Sequence, residues 1–186
     1  MDWNDFPILN TNRLVLREIA LGDTNAIYEI YSDPKVAEYD SFAPVRTIGE
    51  ARNIIHNYRR DFKEKKQIRW GIVRKADNSM IGTCEFMNFD HTSRRCEIGC
   101  GLVSREWKKG FMAEALEPLI DYGFDVLGLN RIEAYIISGN SASVRLFRKL
   151  GFSYEGMVRE REYFKGRFHN EIIMSMLRSD YNLIQK

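Results

Sequence analysis

Arg105-Glu106-Trp107-Lys108-Lys109-Gly110-Phe111-Met112-Ala113-Glu114-Ala115 is the stretch on which the fold of this chain turns. It lies between a strand-like segment, 94–103, and a helical pattern that starts at Gly110 and carries Met112, Ala115, Leu116, Leu119, Ile120, Gly123 and Leu127 on one stripe. A strand, a basic glycine-containing loop and a helix start form an anion-binding arrangement. The first four N–H groups of a helix have no internal partners and carry partial positive charge, so a pyrophosphate fits there, with Lys108 and Lys109 adding Coulombic attraction. Gly110 lets the backbone approach the anion closely. Ordinary surface lysines before a core helix would look the same, and loop composition alone leaves both open. Pro118, inside the pattern, deletes one helical hydrogen bond at a cost of about 3 kcal/mol and predicts a kink.

Working outward, segments 68–74, 80–87 and 94–103 read as an antiparallel meander, separated by Asp77-Asn78-Ser79 and by residues 88–93. Before them come a strand at 13–17, a short helix from Gly22-Asp23 to near Asp33-Pro34, and a second helix from Thr47 through Phe62. The Arg and Lys residues of that second helix read as a solvated face. After the long helix come a strand at 131–137, a helix at 141–150 stopped by Gly151, and strands at 152–158 and 168–177. The expected class is α/β (α+β): a central, mostly antiparallel twisted sheet flanked by helices.

Composition fits one domain over residues 1–186. Hydrophobic residues make up 44% and charged residues 29%, with 13 glycines and 4 prolines, which excludes a disordered or fibrous chain. The net charge of +2 is too small for a dedicated nucleic-acid binder. No apolar run approaches the roughly 18 residues of a membrane span. The start Met1-Asp2-Trp3-Asn4-Asp5 is acidic where a secretory signal is basic, so a cytoplasmic protein is expected. Cys96 and Cys100, four positions apart on a strand, are separated by about 13 Å, too far for a disulfide or a shared metal. With Cys84 they read as reduced, buried residues. His56, His91 and His169 show no metal-ligand spacing, and no metal is expected.

A second signal is Gly139-Asn140-Ser141-Ala142-Ser143-Val144-Arg145-Leu146-Phe147-Arg148-Lys149-Leu150-Gly151-Phe152. Here the chain resembles the GNAT superfamily of acetyl-CoA-dependent N-acetyltransferases, in its ribosomal-protein-alanine N-acetyltransferase branch. Thr11-Asn12-Arg13-Leu14-Val15-Leu16-Arg17 is similar to the start of that branch. Cys96-Glu97-Ile98-Gly99 followed by Trp107-x-x-Gly110-Phe111 is similar to its strand and pyrophosphate loop, and Asn140-x-x-Ser143 to its later helix. The resemblance implies that the pantetheine arm of acetyl-CoA pairs with the backbone of Leu102 and Val103. Gly99 and Gly101 suit a splay or bulge there. It assigns Lys108, Lys109, Gly110, Phe111, Met112 and Ala113 to the pyrophosphate, and Asn140, Ser143 and Phe147 to the cofactor's reactive end. Arg145 and Arg148 are nearby phosphate candidates, with solvated surface arginines the alternative.

Phe147 stands where many members carry a tyrosine that protonates the leaving thiolate, and phenylalanine cannot donate a proton. Ser143 takes that role in the resemblance, against the alternatives of a helix cap or a solvent water. For the base that deprotonates the amine, Glu97 is the first candidate and Glu85 the second, each with an ion pair to a neighbour such as Arg94 or Arg95 as the alternative. An α-amine with pKa near 7.8 is roughly one quarter neutral at cytoplasmic pH, a lysine near 10.4 only about a thousandth. The weaker base requirement favours a protein or peptide N-terminus as acceptor, a ribosomal one in the sense of the branch among them. Rivals are a small-amine acetyltransferase acting on a polyamine, aminoglycoside or amino-acid-like metabolite, and a non-catalytic acyl-CoA-binding module. Segment 32–46 is a candidate acceptor wall. Tyr163, Phe164 and Phe168 read as core, with an acceptor pocket or a dimer interface as alternatives. Sequence leaves monomer and homodimer open.

Overall fold

The strands expected from alternation pair into a single sheet in the computed structural model, which describes residues 5–40 and 42–184. The order along the chain is β1 (Leu9–Asn10), β2 (Leu14–Glu18), α1 (Thr24–Ser32), α2 (Ile48–Lys63), β3 (Ile68–Arg74), β4 (Ser79–Asp90) and β5 (Arg95–Leu102). It continues with α3 (Phe111–Asp121), β6 (Arg131–Ile137), α4 (Ser141–Lys149), β7 (Ser153–Phe164), β8 (Arg167–Leu177) and α5 (Arg178–Ile184). Residues 1–4, whose acidity supports the cytoplasmic expectation, lie outside the described residues, as does residue 41 of the expected acceptor wall.

Strand order is β1-β2-β3-β4-β5-β6-β8-β7. Every pairing is antiparallel except β5 with β6. A parallel pair needs a crossover, and α3 supplies it. Alternation sends Trp70, Phe86, Ile98, Ile132 and Met176 to the face that α3 covers, all buried. Trp70 meets Phe86 and Tyr122 edge-on, at centroid distances of 6.2 and 5.8 Å, and its indole N–H donates to the Pro7 carbonyl. Burying each such ring contributes about 1.5–3 kcal/mol. The opposite face carries Arg69, Thr83 and Glu85 beneath α1 and α2. There the Tyr58 hydroxyl donates to the Tyr31 hydroxyl, which lies 3.2 Å from Thr83 Oγ1.

The structure departs from the sequence expectation in four places. The long helix runs through Pro118 and is α-helical only to Asp121; Tyr122–Val126 forms a π turn closed by the Leu127 N–H on the Tyr122 carbonyl. The irregularity thus follows the proline by four residues. β1 and α5 were not expected, being two and seven residues long. Tyr181 anchors α5, stacking on Phe124 and donating to Asp121 and Asp125. β7 reaches Phe164, six residues beyond the expected end. Finally, Tyr163 and Phe168 are about three-fifths exposed and pack on each other rather than in the core, whereas Phe164 is buried. No helix among the described residues is long and apolar enough to cross a membrane.

Candidate functional site

The parallel pairing of β5 with β6 ends early. Arg95, Cys96 and Glu97 pair with Arg131, Ile132 and Glu133, and from Ile98 onward the two strands part. The other edge of β5 stays paired with β4 as far as Leu102, and the Val103 N–H donates to the Ile81 carbonyl. Antiparallel strands alternate the direction of their backbone groups, so Ile98, Cys100 and Leu102 present theirs to the parted side. That edge can pair with an extended, amide-bearing ligand, as an added strand would. Val103 does not belong to it, contrary to the sequence expectation, because its carbonyl also accepts from the Glu106 N–H. Leu102 does, although its carbonyl accepts from the Trp107 indole at 2.8 Å. Gly99 has a different task from opening the strand: the Glu85 carboxylate lies against it where a Cβ would stand.

Below the parted strands, the loop closes on α3. Lys108 (φ 63°) and Gly110 (φ 81°) are both left-handed, and Gly110 caps α3 without any side-chain hydrogen bond. The first N–H with an intrahelical partner is that of Glu114, on the Gly110 carbonyl. The N–H groups of Phe111, Met112 and Ala113 therefore face outward as anion donors. Their side chains do less, since Phe111 and Ala113 are buried. Lys109 is tied to buried Glu106 at 2.9 Å, and Arg74 holds the same carboxylate at 3.0 Å. These cations keep the Glu106 pKa below the usual range, Lys109 foremost. Lys108 has no ion pair among the described residues.

The opening motif of the chain holds this helix start in place. Thr11 Oγ1 donates to Glu114 at 2.6 Å, the Arg13 N–H at 2.8 Å and the Arg13 guanidinium at 2.5 Å. Arg13 also donates to the Lys109 carbonyl and lies over the Phe111 ring. The resemblance in residues 11–17 therefore marks a clamp on the loop, a role that spacing alone did not reveal.

Of the two candidate bases, Glu85 is buried and held by the Arg69 guanidinium and by the Gln67 amide at 2.8 Å. Glu97 is half-buried at the apex where the strands part, with Asn88 as its hydrogen-bond partner. Burial, helped by the nearby Glu133, raises its pKa above the usual carboxylate value. Burial also acts on Glu133, but the Arg131 and Arg95 guanidiniums outweigh it and lower its pKa. On β8, Glu171 pairs with Arg161 at 3.0 Å, and Arg161 lies across the Tyr135 ring. Neither Arg94 nor Arg95 pairs with Glu97 or Glu85; Arg95 is engaged by Glu133 and Asp90.

At the start of α4, Asn140 Oδ1 accepts the Ser143 N–H at 3.1 Å, so this pair caps the helix. The Ser143 hydroxyl has no hydrogen bond among the described residues and stays free to donate. Phe147, expected at the cofactor, is 3% exposed with its ring against Phe152. It belongs to the core under α4, because its place on the helix turns it toward the sheet. Arg145 reaches back to Ser141.

Comparison with known proteins adds an independent line. The sequence model of the acetyltransferase (GNAT) domain matches residues 13–153. The uncharacterized N-acetyltransferase p20 of Bacillus licheniformis is 38% identical over 173 residues, 93% of this chain and 97% of its own. The putative ribosomal N-acetyltransferase YdaF of Bacillus subtilis is 30% identical over 128 residues, 69% of each chain. Among solved structures, spermidine N-acetyltransferase from Vibrio cholerae, in complex with CoA and spermine, superimposes with a TM-score of 0.81 at 23% identity. That match covers 92% of this chain and 99% of the other, and shows a shared fold.

Proposed function

We propose, for a chain that belongs to the GNAT acetyltransferase family, that it moves the acetyl group of acetyl-CoA to the α-amine of a protein or peptide N-terminus. The observation that carries this reading is the parting of β5 from β6 with Glu97 at the apex and the uncapped start of α3 below. The unpaired backbone of Cys100 and Leu102 suits the amides of the pantetheine arm, and the N–H groups of residues 111–113 with Lys108 suit the pyrophosphate. Acetyl-CoA supplies an activated thioester.

Within the ternary complex the chain aligns the two reactants and moves protons. As the acceptor nitrogen bonds to the thioester carbon and the carbon–sulfur bond breaks, Glu97 takes the proton that the nitrogen sheds. The Ser143 hydroxyl would donate one to the leaving thiolate and be reprotonated from solvent, while Glu97 releases its own to solvent. Glu85 serves as a positioning residue under Gly99, since its carboxylate is already committed to Arg69 and Gln67.

The charge pattern supports an N-terminal amine over a polyamine. A polycation needs several free carboxylates. Here Glu133 is neutralised by Arg95 and Arg131, Glu171 by Arg161 and Glu85 by Arg69. The test is thiol release from acetyl-CoA, with products checked by mass, against free-N-terminal peptides, an N-terminally blocked lysine peptide, spermidine and an aminoglycoside. Turnover confined to free N-termini is expected; faster acetylation of lysine side chains or spermidine overturns the acceptor. Glu97→Gln is expected to lower turnover by roughly 10²- to 10⁴-fold while acetyl-CoA affinity holds, whereas a non-catalytic module has no turnover to lose. Because the folded-state pKa of Glu97 is raised, its basic form is lost as pH falls through that raised value. Once the amine protonation common to both is divided out, the wild-type rate should still decline on the acid side earlier than an ordinary glutamate, at about 4.3, would make it, and the residual rate of the variant should lack that limb.

A further inference from the structure

The acceptor side of the parted sheet holds a carboxylate and a cavity that the acyl-transfer machinery leaves unused. A 3-10 turn, Ala37–Tyr39, is drawn across this side. Lys165, in the β7–β8 turn, donates to the carbonyls of Ala37 and Glu38, the latter at 3.1 Å. Tyr39 comes within 3.6 Å of where a Cβ on Gly139 would stand. Asp40 follows, with its N–H on the Ala37 carbonyl. Its side chain is open to solvent, yet its charge is felt by Arg69 on β3, Tyr58 on α2, Cys100 on β5 and Lys165. It therefore stands in a cleft above the parted strand. Crowding by protein raises its pKa, against the pull of Arg69 and Lys165.

Both neighbouring cations are already engaged. Arg69 serves Glu85, Tyr31 and Thr83, and Lys165 serves two carbonyls. Among the described residues, none bonds to the Asp40 carboxylate. Next to it, a cavity of about 220 Å³ is lined by Tyr31, Phe42, Ala43, Val45, Ile54 and Tyr58, with Asn57 the one amide among them. That is below the roughly 300 Å³ of pockets for drug-sized ligands and suits one side-chain-sized apolar group.

We propose that Asp40 and this cavity form the acceptor subsite, which takes a primary ammonium beside a bulky apolar side chain, as at a peptide N-terminus beginning with leucine, methionine or phenylalanine. The ammonium faces Asp40 on arrival and the side chain enters the cavity. This rests on the acetyltransferase reading above and narrows its acceptor.

The test needs no turnover. Binding of leucinamide and of glycinamide is measured by calorimetry on enzyme saturated with CoA. Leucinamide is expected to bind about 10- to 100-fold more tightly than glycinamide, the range that burial of one leucine side chain gives. Asp40→Asn should weaken both amides by about 10-fold. Ile54→Trp, or Ala43→Leu as a milder filling, should abolish the preference and leave glycinamide binding as it was. CoA affinity, measured alongside, should hold in every variant and reports that each is folded. Equal binding of the two amides to the wild type, or unchanged amide binding in Asp40→Asn, overturns the proposal. Failure of the acetyltransferase reading would appear separately, as absence of acetylated product with every amine.

Discussion

The starts of α2 and α3 meet the same physical problem in opposite ways. At α2, Thr47 accepts the Glu50 N–H at 3.2 Å and Glu50 in return accepts the Arg46 N–H at 2.7 Å, so a side chain caps the helix start. At α3, Gly110 offers no side chain, and three N–H groups are left to face the cleft. Stability alone would favour a cap in both places, since one contributes about 1 kcal/mol. The fold holds this helix start in place from outside, through Thr11, Arg13 and Glu114, yet leaves it uncapped, as the proposed pyrophosphate site requires.

The sharpest way to break this contrast is to cap α3 from within. Gly110→Asp keeps a residue that tolerates left-handed φ and sets a carboxylate over the free N–H groups. Acetyl-CoA affinity should fall by roughly 100-fold while the protein stays folded, at some cost in melting temperature from a side chain at φ 81°; an unchanged Kd would mean that the α3 start is not the anion site. The reciprocal change, Thr47→Ala, should cost about 1 kcal/mol in denaturant unfolding and leave the acetyl-CoA Kd unaltered. A smaller effect separates the two loop lysines. Lys108→Ala should weaken acetyl-CoA by about 3-fold at low salt and less at high salt, whereas Lys109→Ala should do less, because Glu106 already neutralises Lys109. If Lys109 proves the more important, the ion pair with Glu106 opens when the cofactor binds.

Much of this was legible in sequence. The meander and the basic loop before α3 follow from alternation and helix-end chemistry, whereas the cap of α4 falls to Asn140, which sequence had placed at the cofactor. The resemblance to GNAT proteins implied a cofactor site on residues 97–113 and 140–147, of which the fold turns Val103 and Phe147 away. What sequence did not show depends on pairs distant along the chain. The opening of the sheet, which the resemblance implied near Gly99 and Gly101, comes from where β6 ceases to follow β5. Gly99 looked like a strand-opening glycine and instead makes room for Glu85. Phe147 looked like a site residue because its position in the motif is one, while its burial is set by the sheet beneath α4. Glu97 ranked only just ahead of Glu85 in sequence, and it is Arg69, fixed by β3, that separates them by taking hold of the latter. Asp40 sits in a segment without periodicity, where no pattern could single it out.

The contact between Thr11 and Glu114 joins residues 103 positions apart. Loops of that length close at an entropic cost that local helices and hairpins do not meet, so they form late in folding. The geometry of the α3 start is therefore fixed only when the two ends of this long loop have met. A nascent chain, or one opened at this clamp, can contain every residue of the basic loop and still lack the rigid helix start that gives those residues their purpose.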